Sequence, residues 1–157
     1  MTLERRSLKF DSFDEVRADV DNLLKGYTKV GKWDLAQCCG HLAVWAGYPV
    51  EGYPRGNFLV RTMLATIKMT MGRQMREQWL TTGHMKSGIQ TMPETVPAPG
   101  MDEVKAAEML KQKIQQFEAY TGEYQASPLL GAMTREEARK IQLVHMGHHL
   151  SFLIPKS

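Results

Sequence analysis

The sequence predicts an all-α chain folded as an antiparallel helix bundle with one long connection. Three observations carry this expectation. Apolar residues recur at helical spacing through several long segments, recognisable N-caps precede those segments, and no stretch alternates like a strand or repeats internally. At 157 residues the chain fits a single domain spanning 1–157, and 43% apolar content is ordinary for one with a proper core.

Taken in order, Ser12-Phe13-Asp14-Glu15 reads as a capping box, and Phe13, Val16, Val20, Leu23 and Leu24 follow at helical spacing until Gly26 stops the first helix. Asp34-Leu35-Ala36-Gln37 opens the second. Its inner face is marked by Leu35, Cys38, Leu42 and Trp45 up to Pro49, with His41 close to that face. Gly52, Pro54 and Gly56 break the chain before an amphipathic segment from about Phe58 to Trp79. There Val60, Met63, Leu64, Ile67 and Met71 share one face while Arg61 and Lys68 share another. A packed or dimer-forming helix is the simplest reading, and a membrane-surface helix is the alternative. Gly83 to Gly100 carries Pro93, Pro97 and Pro99 without periodicity and reads as a long surface crossing of the kind that covers sites. Val104, Ala107, Leu110, Ile114 and Phe117 then define a helix ended by Gly122 and Ser127-Pro128, and Thr134-Arg135-Glu136-Glu137 caps the last one.

Composition excludes several classes of function. The net charge of +3 is mild and the basic residues are scattered, so no nucleic-acid partner is expected. The apolar stretch from Phe58 to Met71 falls short of the roughly 20 residues a span requires, so no membrane partner is expected either. The charged start, Met1-Thr2-Leu3-Glu4-Arg5-Arg6, has no apolar run like that of a signal peptide, which gives a cytoplasmic expectation. Cys38 and Cys39 point about 100° apart on a helix and would not readily pair, so both are read as structural thiols.

The chemistry is concentrated in His145-Met146-Gly147-His148-His149, which holds three of the five histidines. With the inward stripe drawn through Ala138, Ile141 and Phe152, all three imidazoles fall within about 60° of the apolar axis, and Met146 and Leu150 lie to one side. Unpartnered imidazoles there would cost about 1 to 3 kcal/mol apiece. A metal ion or a hydrogen-bonded core network would satisfy them. His145 and His149, four apart, form a ready bidentate clamp. Met146 stands where zinc proteases place a glutamate, which disfavours protease chemistry. His41 supplies a third ligand from the second helix. His148, three from His145, competes with His149 as ligand or serves as an acid/base or a partner to a ligand. Gln37, one turn before His41, is a candidate partner of its ring or of a bound water, or else a surface residue, and Trp45 and Tyr48 are core aromatics or pocket walls above it. His84, beside Gly83, reads as a solvated loop residue, and the eleven methionines as gap-fillers or dimer contacts.

The run Trp33-Asp34-Leu35-Ala36-Gln37-Cys38-Cys39-Gly40-His41-Leu42 resembles the tryptophan, glutamine and histidine-leucine signature of DinB/YfiT-like proteins. The closing His145-x-x-His148-His149 resembles the last element of that superfamily. Ser127-Pro128-Leu129-Leu130-Gly131 and His149-Leu150-Ser151-Phe152-Leu153 look like one of its uncharacterised bacterial branches. The resemblance implies a four-helix bundle with one long crossover, usually a homodimer, holding a divalent metal such as zinc or nickel on His41, His145 and His149. It also implies a metal-dependent transferase or isomerase using a low-molecular-weight thiol on a small electrophile. The alternative is a non-catalytic metal-binding or protein-interaction dimer.

Overall fold

The computed structural model describes residues 4–87 and 93–156 and is mostly helical. Helix α1 runs Phe13–Leu23, α2 Leu35–Glu51, α3 Phe58–Ile67, α4 Arg73–Thr82, α5 Glu103–Ala119 and α6 Arg135–Leu150. A π-helical turn, Lys68–Gly72, joins α3 to α4 without a break, so the amphipathic segment expected from Phe58 onward forms one long arm.

The caps act as the sequence foretold. Asp34 and Gln37 form a reciprocal capping box at α2, and Thr134 and Glu137 form one at α6. At α1 the Ser12 hydroxyl accepts from the Glu15 amide, but the Glu15 carboxylate reaches one residue further, to the Asp11 amide. The expected absence of strands is corrected. Tyr27–Lys29 (β1) pairs antiparallel with Leu153–Pro155 (β2), Thr28 opposite Ile154, and so fastens the end of α6 beside α1. Two three-residue strands are too short to leave a periodic signal.

One core joins α1, α2, α5 and α6, centred on fully buried Val16, Leu23, Leu35, Leu42, Leu110, Ile114, Met146 and Leu150. Helix α2 packs mainly along α5 and also against α6, while Phe13 of α1 meets Phe117 of α5 edge to face. A second, smaller cluster of Trp79, Leu130 and Ile141 holds α4 against α6. These two clusters correct the expected orientation of the last helix. Ile141 belongs to the second cluster and Phe152 lies beyond the helix end, whereas Met146 and Leu150, expected to one side, sit in the main core. The histidines of α6 therefore occupy the margin between two apolar faces.

The arm is anchored at its π turn. A Cβ built on Gly72 would lie 2.3 Å from the Leu129 carbonyl oxygen, so only glycine admits the Ser127–Gly131 turn at this point. Arg76 adds hydrogen bonds to the carbonyls of Ala132, at 2.6 Å, and Leu130. Beyond the anchor, no residue of α3 is buried, and Phe58, Leu59 and Met69 are 79%, 76% and 84% exposed. No described helix is long and apolar enough to cross a membrane. Gly72→Ala should destabilise the protein by about 1 to 3 kcal/mol through overpacking against backbone, read as a lower melting temperature. An unchanged melt would mean that the turn can move aside.

Candidate metal centre

Two helices bring the expected ligands together. His41 lies two turns into α2 and is fully buried, and His145 and His149 are half-buried neighbours on α6. The three Nε2 atoms converge, His41 to His145 at 3.2 Å and His149 to His145 at 3.0 Å. Nitrogens bound tetrahedrally to zinc at 2.0–2.1 Å would stand about 3.3 Å apart, close to these two separations, and all three ligand atoms lie within 4.8 Å of one another. The donor set is all imidazole, which suits zinc, nickel, copper and iron.

The second nitrogen of His41 is held by the crossing. Nδ1 lies 3.1 Å from the Thr95 hydroxyl and 3.3 Å from the Thr95 carbonyl oxygen. The carbonyl can only accept, which favours a proton on Nδ1 and leaves Nε2 as a lone pair aimed at the cluster. The Gln37 amide donates to the Pro97 carbonyl at 3.2 Å, and Pro97 packs so closely on Gly40 that a Cβ there would stand 2.3 Å from its ring. The expected roof is thus present over residues 93–97, and residues 88–92 of the same crossing lie outside the described residues.

A chain of hydrogen bonds alone does not satisfy this cluster. Each imidazole nitrogen carries one in-plane proton or one in-plane lone pair. His145 Nε2 stands between two other Nε2 atoms and can complete a good hydrogen bond with only one of them. Protonation is no remedy, because burial pulls the His41 imidazole down to about 4, against a smaller opposing effect of the Thr95 hydrogen bond. Burial also holds His145 and His149 well below the ordinary histidine value, with the neighbouring imidazoles adding to the effect. All three are therefore neutral near pH 7, the form that ligates a metal.

Aromatic rings wall the cluster. Trp33 stacks on His149 at 4.9 Å and 11°, and Trp45 meets His145 nearly perpendicular at 5.7 Å. Tyr48 continues the row from Trp45. His148 stands apart from the converging nitrogens. Its ring meets that of Phe152 edge to face, Arg5 lies over the same phenyl ring, and it has a hydrogen bond to the Met85 backbone. Between His148 and His149, it is His149 that the fold places with the other two. Gln37 is buried instead of reaching the His41 ring, because its carbonyl oxygen closes the α2 cap and its amide binds Pro97. Cys38 and Cys39 are buried free thiols whose pKa burial raises, to about 12 for Cys39, and neither joins the cluster. His84 is exposed in the loop. Sequence reasoning missed Thr95 and the stacking role of Trp33. Thr95 lies 54 residues from its partner in an aperiodic segment, whereas Trp33, just before the α2 cap, was within reach of a positional argument.

The chain matches, over residues 2–156, the family described as Protein of unknown function (DUF1569), and it belongs to that family. No curated protein and no solved structure matches it.

The lowered histidine values fix a pH dependence. A buried imidazole whose folded pKa lies below its unfolded value of 6.5 resists protonation that the unfolded chain accepts, so its stabilising effect is present above 6.5 and lost as pH falls through about 4. Thermal melts of the metal-free protein should show stability declining across that window. A flat profile there would mean that the imidazoles are not held neutral.

Proposed function

We propose that this protein is a metal-dependent enzyme of DinB/YfiT-like type, a four-helix bundle of α1, α2, α5 and α6 in which α3 and α4 form part of the long crossover. His41, His145 and His149 would hold a divalent ion, zinc or nickel, and the convergence of their Nε2 atoms is the observation that carries this reading. Bound there, such an ion supplies Lewis acidity, and with three protein ligands it leaves a position open for activating a thiol or water. The chain's own residues do the rest. Thr95 orients the His41 ring, and Trp33 and Trp45 exclude solvent from the flanks of the half-buried His149 and His145. His148, whose Nδ1 is buried without a hydrogen-bond partner, is placed beside His149 to move a proton.

The reaction we favour is transfer of a low-molecular-weight thiol to a small electrophile, in a cytoplasmic setting. Zinc- or nickel-loaded protein should accelerate the displacement of chloride from monochlorobimane by a small thiol, read by fluorescence. Replacing His41, His145 or His149 by alanine should abolish metal binding and rate together, whereas His148→Ala should retain the metal and lose at least tenfold in rate. Full metal occupancy without any thiol chemistry would favour a non-catalytic metal-binding or interaction module.

The partner that best fits α3 is a second copy of the chain. Thr62, Thr66 and Thr70 recur one turn apart, and each hydroxyl donates to the carbonyl four residues back at 2.8–2.9 Å. The seam therefore presents methyl groups between Phe58, Leu59, Met63 and Met69, while Arg61 and Lys68 lie on the other side of the helix. Light scattering should give twice the chain mass for the wild type and a monomer for Thr66→Lys. A wild-type monomer would leave the seam to some other partner.

A further inference from the structure

Among the described residues, five buried side-chain polar atoms lack a hydrogen-bond partner: Arg6 Nε, Arg76 Nε, Trp45 Nε1, Gln142 Oε1 and His148 Nδ1. The two guanidinium groups are already engaged through their other nitrogens. The remaining three all belong to side chains within one helical turn of a clustered histidine. An orphaned buried polar group costs about 1 to 3 kcal/mol, so three of them on side chains within a turn of the clustered histidines call for partners.

Trp45 and Gln142 form one layer. Trp45 follows His41 by four residues on α2, and Gln142 precedes His145 by three on α6, so each lies one turn from a cluster ligand along its own helix. The Gln142 amide nitrogen donates to the Trp45 carbonyl at 3.1 Å, which ties the two helices at this level and fixes the Gln142 oxygen as the free end. Gln142 is 7% exposed, so its oxygen cannot turn to bulk water. The layer offers one donor, the indole N–H, and one acceptor, the amide oxygen. A ligand that satisfies both must present an acceptor and a donor of its own.

We propose that Trp45 and Gln142 recognise the small molecule that binds at the three-histidine centre, and that this molecule presents an amide-type edge, a carbonyl-like oxygen beside an N–H. The proposal rests on the reading of the histidines as a metal centre. It adds a chemical class of ligand that the metal alone does not choose. The indole N–H donates to the ligand's oxygen and the Gln142 oxygen accepts from its N–H, so an otherwise identical ligand without the N–H leaves Gln142 unpaired.

The test uses the full chain loaded with cobalt(II), whose absorption reports ligand binding, and two chelators that differ only at the nitrogen, acetohydroxamate and N-methylacetohydroxamate. Metal content is measured first for every variant. The wild type should bind acetohydroxamate about tenfold or more tightly than its N-methyl analogue. Gln142→Leu should bring the two affinities within about twofold of each other at unchanged metal content, and Trp45→Phe should weaken both by a similar factor. Equal affinities in cobalt-loaded wild type would overturn the proposal and leave the metal centre standing, as would a preference that survives Gln142→Leu. If Gln142→Leu fails to fold, the wild-type pair and Trp45→Phe still decide, since a Trp45→Phe variant that binds both chelators as the wild type does removes the indole from the site. A wild type that takes up no cobalt overturns the metal reading and this one together, and the metal count tells that outcome from the others.

Discussion

An imidazole nitrogen has a single in-plane position, and the geometry around His145 asks it to serve two neighbours. With His41 Nε2 at 3.2 Å and His149 Nε2 at 3.0 Å, any neutral arrangement leaves one close contact without a well-directed hydrogen bond. Burial prevents the cluster from relieving this by taking up charge, as the depressed His41 value shows. A cation that accepts three lone pairs is the simplest resolution. Much of the surrounding structure is arranged to bring those three lone pairs together and to keep them dry.

The arrangement depends on α6 having two apolar faces. Met146 and Leu150 pack into the main core, Ile141 packs with Trp79 and Leu130, and the imidazoles emerge between. Glycines make the close approaches possible. Gly40, beside His41, admits Pro97 and so lets Thr95 reach the His41 ring, while Gly72 admits the Leu129 carbonyl and fixes the arm to the turn before α6. The crossing and the site are therefore connected, because the short contact of Pro97 on Gly40 goes with the hold of Thr95 on the His41 ring.

Much of this was legible in the sequence. The caps at Asp34 and Thr134 set the starts of the two ligand-bearing helices, and the four-residue spacing of His145 and His149 makes them neighbours whatever else happens. The face they occupy was misjudged, because the stripe was drawn through Ile141 and Phe152. One belongs to a separate cluster and the other lies past the helix end, neither of which a helical wheel can register. Thr95 and the β1–β2 pair were invisible for a related reason. Their contacts join residues far apart in the chain through segments too short or too irregular to carry a period. On the arm, Val60, Leu64 and Ile67 of the face read from the sequence are half-buried, whereas the exposed Phe58, Leu59 and Met69 lie off that face, because periodicity shows that a face needs cover without marking apolar residues outside the period.

X-ray absorption at the metal edge, on protein reconstituted with zinc, reads the ligands of the three-histidine centre directly. Three imidazole nitrogens at about 2.0 to 2.1 Å are expected, with one further light-atom ligand and no sulfur. Sulfur in the shell would place Cys38 or Cys39 at the metal and contradict the geometry. Failure to retain any zinc would mean that His41, His145 and His149 form a histidine network with no resident ion, and the central claim would fall.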